Sequence, residues 1–276
     1  MTSTTLQTFA DASTLSTVEP GHYIARLDAS WGQGRALFGG IQAALMVRGC
    51  ETLLDDTERH LRTLSLSFCR AAVAGDIEVE ARLERAGRYV SHFTSRLTQG
   101  GETVATALAV YARDRDDSVR FDGAEPPELP EPETLERLPA HPAIPIFTRH
   151  FDTRFIPGTQ PYAGSDEPEV KGWLRFAERT PAARRTPLDA PAMAALLDVW
   201  PPAVLTTLAP PRASASVDLR YDILQPLPLA SASVDDFYAF RCRILHWDAG
   251  HGIDEGELWT RDGRPVARIR QLRVIF

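Results

Sequence analysis

Asp189-Ala-Pro-Ala-Met-Ala-Ala-Leu-Leu-Asp-Val-Trp-Pro-Pro202 is the stretch on which the reading of this chain turns. Asp189 suits a helix N-cap, Pro191 fits the first turn, and Pro201 with Pro202 stops the helix. Met193, Leu196, Leu197 and Trp200 recur at i, i+3, i+4 and i+7, which makes one apolar stripe. The other side holds Ala192, Ala194, Ala195 and Val199. A helix over 189–200 would be apolar all round, and such a helix is buried. Only Asp198 breaks the pattern, with small Ala194 and Ala195 one turn before it. A buried carboxylate must find partners, titrate high or face a pocket. The plainer alternatives are an acid capping a loop, or one at a wetted helix end.

Outward from this helix, the same plan occurs twice. In the first half, 23–28 alternates as a strand. A glycine-rich turn, Trp31-Gly-Gln-Gly-Arg-Ala-Leu-Phe-Gly-Gly40, leads into an apolar helix over about 41–54. Strand-like runs follow at 61–70, 76–85, 89–99 and 102–113, and Gly100-Gly101 signals a hairpin. In the second half, runs at 147–155 and 172–178 precede the 189–200 helix. Runs at 213–224, 236–246, 252–260 and 264–276 follow it. Thr98-Gln-Gly-Gly-Glu-Thr-Val-Ala105 matches Thr260-Arg-Asp-Gly-Arg-Pro-Val-Ala267 in both turn and strand start. The repeated order of elements indicates duplication. In each half a curved antiparallel sheet wraps one helix, an α+β architecture with units at 17–113 and 146–276. Between them, 114–145 is rich in acids and prolines and reads as an extended linker. The polar first sixteen residues read as loose.

The chain has 276 residues with 43% hydrophobic and 24% charged content, the balance of an ordinary globular protein. Its net charge of −7 favours neither nucleic acid nor an anionic membrane as partner. Cys50, Cys69 and Cys242 have no metal or redox spacing and read as reduced core thiols of a cytoplasmic protein. There is no signal-peptide pattern at the start and no apolar run of membrane-spanning length. The seven histidines include no H-E-x-x-H or other metal spacing, and neither a metal nor another cofactor is expected; no G-x-S-x-G elbow occurs, which argues against an α/β-hydrolase. His246 and His251 read as part of an exposed hairpin turn. Arg82, Arg85 and Arg88 would suit the phosphates of a ligand, although a solvated basic face explains them more simply.

Taken in order, several segments carry a family resemblance. They are Phe38-Gly39-Gly40, Ser65-Leu-Ser-Phe68, Gly172-Trp-Leu-Arg175, Leu197-Asp198, Ser214-Ala-Ser-Val-Asp218 and Val266-Ala-Arg-Ile-Arg-Gln271. In these the chain resembles the double-hotdog acyl-CoA thioesterases of the thioesterase II type, over nearly its whole length. The resemblance implies a double hotdog, acyl-CoA as substrate, and oligomers of the double unit. It also implies a catalytic set of an acid on the second helix, a hydroxyl on the next strand and an amide on the last strand. These fall on Asp198, Ser216 and Gln271. The long proline-rich linker and the arginine-rich last strand depart from the family pattern.

Such a set would let Asp198 take a proton from water, with Ser216 and Gln271 holding the water in line. Backbone N–H groups at Gly39 and Gly40 would bind the substrate's carbonyl oxygen, though a glycine pair before a helix is also an ordinary turn. The plainer reading makes Ser216 a solvent-facing strand residue and Gln271, among Arg268, Arg270 and Arg273, part of a polar face. Alternation puts Ala267, Ile269 and Gln271 on one side, which favours an inward Gln271. Two other readings stay open: an acyl-CoA binding protein without turnover, and a hotdog hydratase or dehydratase, which needs a histidine in the site.

Overall fold

Two apolar helices lie against each other, and one sheet closes around both. The computed structural model describes residues 6–116, 119, 121, 123, 125–178, 185–209 and 211–276. Helix α1 is a single turn, Phe9–Ala12. The central helices are α2, Gly39–Glu51, and α3, Ala190–Leu197, and they pack directly on one another. The first half supplies strands β1 (Ser16–Glu19), β2 (His22–Leu27), β5 (Arg59–Phe68), β6 (Gly75–Ala86), β7 (Val90–Gln99) and β8 (Glu102–Arg113). The second supplies β9 (Phe151–Phe155), β10 (Glu169–Phe176), β12 (Ser214–Ile223), β14 (Tyr238–Asp248), β15 (His251–Thr260) and β16 (Pro265–Ile275). Two small ladders, β3 (Gly32–Gln33) with β4 (Ala36–Leu37) and β11 (Pro187–Leu188) with β13 (Leu229–Ser233), lie outside the main sheet.

The main sheet runs β1-β2-β6-β7-β8-β5-β12-β16-β15-β14-β10-β9. Its order is palindromic about the β5–β12 seam, where Leu66 faces Leu219 and Leu64 faces Tyr221. Each half is the other turned about that seam, as duplication requires. One apolar cluster runs through both halves, from Leu64 and Val79 to Leu219 and Ile269. This is the double-hotdog architecture expected from the sequence.

Several expectations need correction. The helix at 189–200 ends at Leu197, because Pro201 and Pro202 deny its next turn backbone donors and helical geometry. Asp198 is therefore a C-cap, not a mid-helix residue. The first helix starts two residues early, taking Gly39 and Gly40 into its first turn, and ends at Glu51. The run at 147–155 is divided, with a 3-10 turn over Ile146–His150 before strand β9. Cys69 is exposed, whereas Cys50 and Cys242 are core thiols.

Two segments expected to be loose are docked. Ala12 is fully buried, and Phe9 lies 4.8 Å from Phe176, ring centre to ring centre. Within 114–145, Leu129 and Leu135 pack against the apolar cluster of Trp173, Phe237, Ala239 and Trp259. Trp173 Nε1 donates to the Pro130 carbonyl at 2.8 Å, and Arg261 pairs with Glu131 and Glu133. His246 lies on β14, not in the turn, and His251 opens β15.

Candidate active site

The two helices are antiparallel. The end of α3 meets the start of α2, and at the other end Arg48 of α2 lies 3.2 Å from the N-cap Asp189 of α3. Asp189 Oδ1 accepts from the Ala192 N–H at 2.9 Å, which fixes where α3 begins and so where Asp198 comes to rest. Past the helix, the Trp200 ring is stacked 5.4 Å from Phe240 and lies over Gly256, where a Cβ would come within 2.6 Å of it. Asp198 is thus pinned on both sides along the chain.

Its carboxylate is 7% exposed and points at the N-terminus of α2. A Cβ on Gly39 would stand 2.6 Å from Asp198 Oδ2, and one on Gly40 2.7 Å from the Ala195 carbonyl, so only glycine fits either place. The Gly40 N–H faces the Asp198 carboxylate and favours its ionised form. Gln271 Nε2 donates to Asp198 Oδ1 at 2.6 Å. Gln271 is 1% exposed, on the face that alternation assigned to it, beside Ala267 and Ile269. Its Oε1 has no hydrogen-bond partner and is free to accept one. Burial pushes the Asp198 carboxyl up to about 6, against the opposing pulls of Arg273, Gln271 and the Gly40 N–H.

Ser216 reaches this face through a bulge. Strand β12 pairs Ser216 with Arg273 and Asp218 with Leu272, leaving Val217 as the extra residue. If Val217 alternated as a regular strand residue, Ser216 would lie opposite to Leu219 and Tyr221; because Val217 bulges out of the pairing, all three share a side. Ser216 is partly buried, and its Oγ accepts from Arg273 Nη1 at 3.4 Å. Among the described residues no hydrogen bond joins Ser216 to Asp198, so the expected trio is assembled as one direct pair and one neighbour linked through Arg273.

Arg273 and Asp254 were not among the expected residues. Arg273 is 4% exposed and Asp254 2%, and Arg273 Nε lies 3.0 Å from Asp254 Oδ2, as an ion pair without hydrogen-bond alignment. Arg273 Nη2 donates to the Trp200 carbonyl at 3.4 Å, and Asp254 Oδ2 accepts from the Ala203 N–H at 3.2 Å. Burial raises the Asp254 carboxyl, with Arg273 opposing. The signal was present: 267, 269, 271 and 273 share one parity, and Asp254 faces Gln271 across β15 and β16.

The first half carries different side chains at the equivalent bulge. Strand β5 carries the equivalent bulge, pairing Leu61 with Tyr111 and Thr63 with Val110. Superimposing the bulges equates Leu61 with Ser216, Tyr111 with Arg273 and Ala109 with Gln271. Phe93 faces Ala109 as Asp254 faces Gln271. The hydroxyl, the amide and the ion pair thus correspond to apolar and aromatic residues, with Phe93 and Tyr111 in edge contact at 5.4 Å.

None of the seven histidines is hydrogen-bonded to Asp198 or Gln271. Among the described residues no three His, Cys, Asp or Glu side chains converge as metal ligands, and no helix is long and apolar enough to cross a membrane. A groove of about 790 Å³ is lined by Ser65, Thr94 and Thr106 of the first half and Asp218 of β12 among others, but Asp198 is not part of it.

Comparison with known proteins bears on this site. Residues 27–112 match the acyl-CoA thioesterase N-terminal domain family, and residues 123–275 the acyl-CoA thioesterase C-terminal domain family. Among solved structures, a hot-dog-fold protein of unknown function from Alicyclobacillus acidocaldarius is 25% identical with a TM-score of 0.85, covering 97% of each chain. A putative thioesterase II from Thermobifida fusca is 23% identical with a TM-score of 0.81, covering 98% of each. An acyl-CoA thioesterase II from Mycobacterium marinum is 18% identical with a TM-score of 0.77, covering 97% of this chain and 98% of its own. No curated protein matches the chain.

Proposed function

The chain belongs to the acyl-CoA thioesterase family, and from that premise we propose that it hydrolyses acyl-CoA to the free acid and CoA, with Asp198 activating a water. The observation that carries this reading is the Gln271–Asp198 contact at 2.6 Å in a buried setting. A carboxylate only accepts, so Gln271 must present its amide N–H to Asp198, which turns its Oε1 away and leaves it open. A water beside the pair can give one hydrogen to Asp198 and the other to Gln271 Oε1. Its lone pair then points at an incoming thioester carbonyl.

With its carboxyl near 6, Asp198 is mostly ionised at neutral pH yet basic enough to take a proton from water during attack. The Gly40 N–H faces the carboxylate. Stabilisation of the carbonyl oxygen therefore falls to the Gly39 N–H at the positive end of α2 and to the Ser216 hydroxyl. The tetrahedral intermediate collapses by expelling CoA as thiolate, and Asp198 returns its proton to the departing sulfur.

The apolar counterpart of the site, Leu61, Ala109 and Tyr111, supports one active centre per chain. The same contrast favours turnover over mere acyl-CoA binding, since a binding cavity has no use for a buried acid with an aligned amide. Hydration or dehydration would call on a histidine, and none is bonded to this acid. Cytoplasmic location and assembly of several copies remain part of the proposal, as does the division into units at 17–113 and 146–276.

Thiol release from a panel of short, medium, long and aromatic acyl-CoAs tests the activity. A single turnover in ¹⁸O-water then tests the route. Direct attack by water places one ¹⁸O in the released acid during the first turnover. Tight acyl-CoA binding with no thiol release across the panel would overturn the reading.

A further inference from the structure

The Asp254–Arg273 pair occupies a place where this fold demands no charge. At the equivalent bulge in the first half, Tyr111 and Phe93 fill the same positions with rings. Burying an arginine and an aspartate is costly, and the other half shows that an uncharged solution packs. The charged pair lies in the two cross-strand rows that carry Ser216 and Gln271: Ser216 faces Arg273, and Gln271 faces Asp254.

We infer that Arg273, clamped by Asp254, is a positioning residue for hydrolysis, orienting the Ser216 hydroxyl and setting the charge beside Asp198. This rests on the reading of Asp198 as the base. An arginine has donors only, so in its 3.4 Å contact with Ser216 the hydroxyl oxygen accepts. The single Ser216 hydrogen is then left to donate elsewhere, which is what the carbonyl oxygen of a thioester needs. Asp254 holds the guanidinium through Nε, and the Trp200 carbonyl holds it through Nη2, so the fork has little freedom. Arg273 also opposes the effect of burial on Asp198 and keeps its carboxyl lower than the pocket alone would. The groups facing these charges are Gln271 on β16, the Gly40 N–H on α2, Tyr221 on β12, Cys242 on β14 and Asp254 on β15. Of these, Asp254 is the one that offsets Arg273.

The two partners should therefore act in opposite directions. The readouts are the acid limb of the kcat/KM profile for acyl-CoA hydrolysis and a ¹³C-carboxyl NMR titration of Asp198. The Asp198 signal is identified by its absence in Asp198→Asn. Arg273→Gln should move both upward by about one pH unit. Asp254→Asn keeps an acceptor for the Ala203 N–H, frees the arginine's charge and should move both downward. Arg273→Lys keeps the charge and should stay near the wild-type profile, with a lower rate from the lost fork. Unmoved titrations in Arg273→Gln and Asp254→Asn, or shifts in one direction for both, would overturn the inference. If Arg273→Gln does not fold, Asp254→Asn decides: a downward shift supports the pair's role, and no shift or an upward one removes it. If Asp198→Asn retains turnover, the base reading fails on its own, while the NMR titration still reports the effect of the pair.

Discussion

Asp198 trades stability for basicity. Its carboxyl sits at about 6 in the folded protein against an ordinary value of 3.8. The folded state thus holds the proton more tightly than the unfolded chain does. The stability this contributes is complete below about pH 3.8 and is lost as pH rises through 6. The difference between the two values corresponds to roughly 3 kcal/mol. Asp198→Asn cannot ionise, so its stability relative to the wild type should rise by about 2 kcal/mol between pH 4 and pH 7. Urea denaturation of both proteins at the two pH values measures it, and a constant difference would contradict a buried, strained acid. At this scale the sequence was partly legible. One acid on an apolar helix and one amide on an inward face were visible from periodicity. The bulge that turns Ser216 inward was not, because a single extra residue leaves no compositional trace. Arg273 was hidden for another reason: arginines are normally exposed, and its parity with Gln271 outweighed that prior only once the pairing was seen.

The helices and strands were mostly legible because burial gives both a strong period. The errors fall at their ends, where tertiary contacts decide. Gly39 and Gly40 look like a turn before a helix, yet they form its first turn because α3 passes too close for any side chain. A Cβ on Gly40 would stand 2.4 Å from the Phe38 ring and 2.7 Å from the Ala195 carbonyl; on Gly39 it would meet Asp198 and Phe68. Gly40→Ala should therefore cost about 1–3 kcal/mol through overpacking, despite alanine's better helix propensity. Gly39→Ala should cost a similar amount and also lower kcat, since its clash displaces the carboxylate. Denaturation curves with kcat on the same samples separate the two effects. An increase in stability for either variant would show that the helices can part without penalty. The docked segment around Leu129–Leu135 illustrates the limit of composition: prolines and acids read as a linker, whereas its two leucines and the Glu131 and Glu133 pairs with Arg261 tie it to the second half.

At the scale of the molecule, duplication was readable from the order of elements, but the seam was not. Which strands join two repeats depends on pairing between residues more than 150 positions apart, such as Leu66 with Leu219. That seam, the shared core and the helix pair make each half incomplete alone. Thermal or urea unfolding should accordingly show one cooperative transition by both far-ultraviolet circular dichroism and tryptophan fluorescence. Two separated transitions would mean that the halves are independent. The seam also explains the asymmetry of the chemistry. Two equivalent bulges flank it, and one retains Ser216, Gln271 and a charged pair where the other packs Leu61, Ala109 and Tyr111. The whole account converges on the acid at the end of α3. Its most direct test is CoA release by Asp198→Asn, shown to be folded, on whichever acyl-CoA the wild type hydrolyses fastest. Loss of a general base predicts a fall in kcat of about 10²–10⁴-fold, and turnover within a few-fold of wild type would contradict it.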